Sequence, residues 1–168
     1  MVKIGLLSDT HGYLDDGILK YLEKVDEIWH AGDIGSLDVL YKLQNMHPVR
    51  AVFGNIDHGE IRNIVPEDQI FETEGIKAWI THIGGYPGRY ASDVKKRIYT
   101  IEPDLFICGH SHILKVMTDP KNKKILHMNP GAVGQQGFHQ KRTMLRFEID
   151  TGEIKNLEAI ELGKRGKV

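Results

Sequence analysis

Cysteine is nearly absent. Cys108 stands alone in 168 residues, so no intrachain disulfide can form, and the usage fits a reducing compartment. Long apolar runs are missing as well: nothing approaches the roughly 20 residues of a membrane-spanning helix. The apolar start Ile4-Gly5-Leu6-Leu7 breaks at Ser8-Asp9, too short for a signal-peptide core. Nor does one charge dominate, since Lys plus Arg number 22 against 23 for Asp plus Glu, a net charge of −1. A long nucleic acid therefore finds no broad cationic field. No repeat, low-complexity tract or Pro/Gly/Ser linker divides the chain. One domain over residues 1–168 is expected, in the cytoplasm and away from membranes. A domain of this size buries roughly 70% of the surface its unfolded chain exposes, so it needs no staple. What is abundant is histidine, which occurs nine times.

The first half alternates strand and helix signals. Val2 to Leu7 reads as a buried strand, and Leu14, Ile18, Leu22 and Val25 recur at helical steps. Glu27 to His30 reads as a second strand, Ser36 as the N-cap of a helix carrying Leu37, Leu40 and Leu43, and Val49 to Phe53 as a third strand. This βαβαβ grammar predicts a parallel sheet. Then the pattern changes. Ile70 to Thr73 and Ile76 to Ile80 form a hairpin across Glu74-Gly75, Tyr90, Val94, Ile98 and Ile101 mark a helix, and Asp104 to Cys108 is another buried strand. Leu114 to Met117 and Lys124 to Met128 flank Asp119-Pro120-Lys121-Asn122, while Met144 to Ile149 and Ile154 to Ala159 flank Asp150-Thr151-Gly152-Glu153. The expectation is an α/β protein with two mixed β-sheets in a sandwich flanked by helices.

Each apolar strand runs into metal-ligand chemistry. The strand ends read Ser8-Asp9-Thr10-His11, Ala31-Gly32-Asp33, Gly54-Asn55-Ile56-Asp57, Thr81-His82 and Gly109-His110-Ser111-His112. Ligands of open α/β sheets bind outside the carboxyl ends of the strands, so these five loops are candidates to converge. Taken singly, each has an ordinary explanation: Asp9 as a helix cap, Asn55 as a turn residue, His110 and His112 as a solvated pair. Together, Asp9, His11, Asp33, Asn55, His82, His110 and His112 exceed what one ion takes from protein. They suit a pair of divalent ions about 3.5–4 Å apart, with Asp33 as the bridge. Imidazole, carboxylate and amide without thiolate fit Mn, Fe, Zn or Ni better than a soft metal or calcium. Gly32, Gly54 and Gly109 let the backbone approach the ions.

In that order, from Val2 to about Ala132 and including Asn129-Pro130-Gly131-Ala132, the sequence resembles the calcineurin-like metallophosphoesterases, most closely their small single-domain YfcE-like phosphodiesterase branch. The resemblance implies an αββα sandwich. It also implies one metal on Asp9, His11, Asp33 and His112 and a second on Asp33, Asn55, His82 and His110, with Mn the first choice. The implied activity is hydrolysis of a small phosphodiester by in-line attack of an activated water. Hydrolysis of a monoester or nucleotide, and a non-catalytic scaffold like the retromer subunit, are its alternatives. Family members of this size are frequently dimers or tetramers, so a homodimer or homotetramer is expected.

Two departures stand out. Larger members carry a leaving-group histidine directly after the motif asparagine, where this chain has Ile56, and the fourth motif reads Thr81-His82-Ile83-Gly84 rather than Thr-His-Gly-His. Asp57 and His58 are the nearest substitutes for the missing acid. Asn55 and Arg89 are candidate phosphate contacts, with Arg62, His139 and Lys141 as lesser ones. His30 and His127 are expected near the site, His47 carries no signal, Cys108 reads as an inert buried thiol, and Lys164 to Lys167 read as a frayed basic tail.

Overall fold

A computed structural model describes residues 1–166. Its elements are β1 (Val2–Leu7), α1 (Asp16–Leu22), β2 (Glu27–His30), α2 (Leu37–Gln44), β3 (Val49–Ala51), α3 (Glu60–Ile64), β4 (Asp68–Thr73) and β5 (Ile76–Thr81). There follow β6 (Gly85–Tyr86), β7 (Arg89–Tyr90), α4 (Ser92–Ile101), β8 (Leu105–Ile107), β9 (Leu114–Thr118), β10 (Leu126–Pro130), β11 (Lys141–Asp150) and β12 (Glu153–Lys164). Two five-stranded sheets result, ordered β12-β11-β1-β2-β3 and β4-β5-β8-β10-β9, with β6 and β7 as a separate ribbon. In the first sheet β1, β2 and β3 run parallel and β11 and β12 antiparallel; in the second, β5, β8 and β10 run parallel between antiparallel edges. Both sheets are mixed, as the change of grammar predicts.

Alternation along the strands builds the layers. Ile4 and Leu6 face inward with Trp29, Ile80, Ile107, Met128 and Phe147, filling the space between the sheets. Leu7 and Ile28 face outward against Ile18 and Leu22 of α1, Leu40 and Leu43 of α2 and Ile61 of α3. On the opposite outer face, Trp79, Phe106 and Cys108 pack against Val94 and Ile98 of α4. The order is helix, sheet, sheet, helix. No described helix is long and apolar enough to cross a membrane.

The element boundaries correct the sequence reading, and β3 ends at Ala51 rather than Phe53. Leu14 lies outside α1 because Asp15 caps it by accepting from the Ile18 amide at 2.9 Å, and Val25 lies past its end at Leu22. Tyr90 belongs to the ribbon, not the helix, and its hydroxyl donates to Asp119 at 2.7 Å. The helix α3 and the ribbon were not anticipated. The expected frayed tail is ordered through Gly166: Lys164 ends β12, and the Arg165 guanidinium donates to the carbonyls of His139 and Gln135. Lys167 of that tail lies outside the described residues.

Asp57 shows how the loops are held. Its buried carboxylate accepts from the amides of Ile34 (3.0 Å), Gly35 (2.8 Å) and Gly54 (2.8 Å), tying the turn after β2 to the turn after β3. All three donors lose their partner if the carboxylate goes. Asp57→Ala is expected to cost about 3 kcal/mol or more, read as a lowered urea midpoint with unchanged slope.

A second prediction concerns pH. His127 on β10 is fully buried, and burial first, then the charge of Lys115, pushes its ring down to about 4 against the pull of Asp119. Between pH 6.5 and 4 the unfolded ring therefore binds a proton that the folded ring refuses, and stability falls as pH falls through that window. At pH 5 the penalty is about 2 kcal/mol. His127→Phe is expected to flatten the decline of the urea midpoint over that range; an unchanged pH slope refutes the assignment.

Candidate metal centre

Five loops meet at the carboxyl ends of β1, β2, β3, β5 and β8. Backbone hydrogen bonds tie the first two together: Asp9 N to Gly32 O (2.9 Å), His11 N to Asp33 O (3.0 Å) and Gly12 N to Ile34 O (2.8 Å). His30 reinforces them from below. Its Nδ1 accepts from the Gly32 amide (3.1 Å) and its Nε2–H donates to the Thr10 hydroxyl (3.0 Å), which donates in turn to Ile34 O (2.8 Å). Burial pushes this ring down to about 4, against the carboxylates of Asp57 and Asp9, so the neutral tautomer that these bonds require is the stable one. Gly109 brings the fifth loop in, since a Cβ there would strike the Ser8 hydroxyl and come within 2.8 Å of the Asp9 carboxylate.

The structure brings all seven expected ligands together. Asp9, His11 and His112 form one group with ligand atoms within 4.8 Å of one another, and Asp33, His82 and His110 form another. Each carboxylate spends one oxygen on protein: Asp9 Oδ2 accepts from the Ser8 hydroxyl (2.6 Å) and the His110 amide (3.2 Å), and Asp33 Oδ1 from the Ile56 amide (3.0 Å). The other oxygen faces imidazole. Asp9 Oδ1 lies 3.0 Å from His112 Nε2 and 3.8 Å from His11 Nε2. Asp33 Oδ2 lies 3.2 Å from His82 Nε2 and 3.5 Å from His11 Nε2, so it faces both groups. Asn55 Oδ1 sits 3.1 Å from His82 Nε2 and 2.9 Å from His110 Nδ1, on the second.

These spacings suit divalent ions. Donors bonded at about 2.1 Å to one ion stand about 3.0–3.5 Å apart across an octahedral or tetrahedral edge. Asp9 Oδ1 and His11 Nε2 are buried with no hydrogen-bond partner, and neither Asp9 nor Asp33 pairs with any lysine or arginine among the described residues. Two buried carboxylates left to imidazoles alone are a poor protein core and a good cation site. Burial opposes ionising Asp9, but the imidazoles of His11, His112 and His82 that face it hold its carboxyl well below the ordinary range. Burial likewise opposes charging His82, yet the Asp33 carboxylate bonded to it and the charge of Asp9 raise it above the usual imidazole value. The donors thus compete for positive charge.

Backbone strain concentrates here. Asp9, His11, Asp33, His110 and His112 all have positive φ, between 47° and 66°, and they are five of the nine described non-glycine residues that do. Such conformations cost of order 1–3 kcal/mol each and persist where their surroundings enforce them.

The remaining candidates divide. Arg89 lines a cavity beside His110, and Arg62 lines another beside Asn55 and His82 while stacking 4.4 Å over Phe53. Lys141 is exposed and pairs with Glu161, away from the site. The proposed acids are not brought in. Asp57 is saturated by three amides, and the turn that points it inward leaves His58 exposed and lining none of the cavities around the site. Asn129 staples the last loop, its Nδ2 donating to Gly109 O (2.9 Å) and Ser111 Oγ (3.1 Å). Cys108 is buried, its thiol pushed up to about 12 by burial.

His139 has a role the sequence reading missed, because its partner is 27 residues away. Its Nε2–H donates to Gly134 O (3.0 Å), leaving Nδ1 to accept from His112 Nδ1–H at 3.1 Å. That chain fixes the tautomer in which His112 Nε2 carries the free lone pair toward Asp9.

A four-layer αββα sandwich with two His/carboxylate groups at its strand ends defines a metallophosphoesterase. The calcineurin-like phosphoesterase superfamily domain matches residues 2–152, and the chain belongs to that superfamily. It is 29% identical to a probable metallophosphoesterase of Methanothermobacter thermautotrophicus over 95% of this chain and 92% of the relative. It is also 29% identical to a phosphodiesterase of Methanocaldococcus jannaschii, over 77% and 83%. The solved structure of an archaeal phosphodiesterase superposes with a TM-score of 0.72 at 26% identity, covering 95% and 99%. Vps29 of Chaetomium thermophilum superposes at 0.74 with 13% identity over 98% and 100%, a likeness of fold alone.

Removing the His139 contact tests the tautomer chain. His139→Ala is expected to weaken divalent-metal binding about 10- to 100-fold by calorimetry, with the far-ultraviolet spectrum unchanged. Unaltered affinity refutes the role.

Proposed function

We propose that the chain is a phosphodiesterase that works with two divalent ions, Mn foremost, on a small phosphodiester. Asp9, His11, Asp33 and His112 would hold one ion and Asp33, Asn55, His82 and His110 the other. The observation that carries this reading is Asp33 Oδ2 facing imidazoles of both groups at 3.2 and 3.5 Å, as a bridging carboxylate must. When bound, the ions supply a water acidified toward neutral pKa and positive charge for the phosphoryl oxygens. Ser8, His139 and the Ala31 carbonyl, which accepts from His82 Nδ1 at 2.7 Å, hold the donors in register. Asn55 lines the cleft and its amide nitrogen has no internal bond among the described residues, so it would be available to donate to a non-bridging oxygen.

Cavities adjoin the two groups on more than one side. One passes Gly137 and Phe138, another Arg62 and Thr81, a third Arg89 and Lys115, and His110 or Asn55 borders each. A diester has two arms to place; a monoester has one. This favours the diester over a nucleotide monoester.

No acid stands where Ile56 borders the cleft, so the departing oxygen takes its proton from solvent. Rates are then expected to depend steeply on leaving-group acidity. Mn-loaded protein is expected to hydrolyse bis(p-nitrophenyl) phosphate, faster than p-nitrophenyl phosphate, and to contain two metals per chain. Asp33→Asn should lower kcat/KM by about 10³-fold or more. Ile56→His should raise turnover of alkyl diesters by about 10²-fold and of aryl diesters far less. Diester hydrolysis that survives Asp33→Asn overturns the reading.

A further inference from the structure

We propose that the cavity under the β6–β7 ribbon is the subsite for a nucleoside arm of the diester, seating a planar base against His127. The proposal rests on the phosphodiesterase reading and deepens it. Position comes first. Gly109, His110 and Ser111 line the cavity, and His110 belongs to one of the two candidate metal groups, so a guest there lies beside the metal centre. At about 260 Å³ it lies below the roughly 300 Å³ at which pockets for drug-sized ligands begin, room for one ring system rather than a polymer.

Chemistry comes second. His127 lines this cavity from the sheet, fully buried, and neither of its ring nitrogens has a hydrogen-bond partner. Its position, tilted against Phe106 at 5.7 Å, is one an apolar side chain would fill without the cost of an orphaned polar group. Neighbouring Asn129 has no such deficit, since its amide bonds Gly109, Ser111 and Gly131. A neutral imidazole offers one donor and one acceptor, and either can serve the edge of a heterocycle.

The walls agree. Ile83 and Ile113, 48% and 61% exposed, and the Tyr86 ring present apolar surface to a flat guest. Such walls suit a base and offer little to a bare phosphate or a sugar. Arg89 and Lys115 stand at the edge without a carboxylate partner among the described residues, Lys115 Nζ lying 4.0 Å over the Tyr86 ring. Their charge favours a guest that arrives with a phosphate.

The test compares two esters with one leaving group: thymidine 5′-p-nitrophenyl phosphate and methyl p-nitrophenyl phosphate, with Mn-loaded protein. The nucleoside ester is expected to show at least tenfold higher kcat/KM. His127→Phe should cut that preference at least tenfold more than it cuts turnover of the methyl ester. Independently of catalysis, thymidine added to metal-free protein should shift the His127 ring C–H resonance saturably, the resonance being identified by its loss in His127→Phe. Equal kcat/KM for the two esters, or no shift at millimolar thymidine, overturns the subsite and leaves the phosphodiesterase reading standing. No hydrolysis of either ester with the shift present overturns that reading and keeps the cavity as a nucleoside site.

Discussion

The arrangement turns on two carboxylates, Asp9 and Asp33, buried within reach of the same imidazoles and, among the described residues, of no lysine or arginine. Among the described residues only imidazoles face their charge. The contacts around them preserve this: one oxygen of each is satisfied by protein, and the other is kept for the centre. Supporting histidines remain neutral for the same reason. His30 holds two loops through a tautomer that protonation would break, and His139 accepts the His112 Nδ1 proton, which leaves Nε2 of His112 free.

The second constraint is conformational. Five of the seven proposed ligands occupy left-handed backbone, which no regular strand or helix tolerates. This explains why the ligands sit just past strand ends rather than within them. The strands supply rigidity, Asp57 and Asn129 pin the turns, and the strained residues are left with one way to point.

Much of this was legible in sequence because the signals are local. Val2–Leu7 and Glu27–His30 are short apolar runs with polar ends, Ser36 is a cap three residues before Val39, and the strand-end motifs place the candidate ligands in order. What escaped depends on contacts between distant residues. Nothing near Asp57 announces that its partners are Ile34 and Gly35, so it passed for an acid. His139 passed for a phosphate contact because its partner His112 lies 27 residues back, beyond β9 and β10. The ribbon left one readable trace, Pro87-Gly88, a turn signal between β6 and β7. The helix α3 is five residues long, too short for periodicity to declare it.

The origin of the donors carries one more consequence. Asp9, His11, Asp33 and Asn55 follow strands of one sheet, while His82, His110 and His112 follow strands of the other, and each candidate group draws on both. A chain with only one sheet assembled holds at most two of the three members of either group. Hydrolytic chemistry is thereby withheld from partly folded chains, and a bound ion becomes a clasp across the open edge of the sandwich, making metal occupancy a report on whether the two sheets have docked.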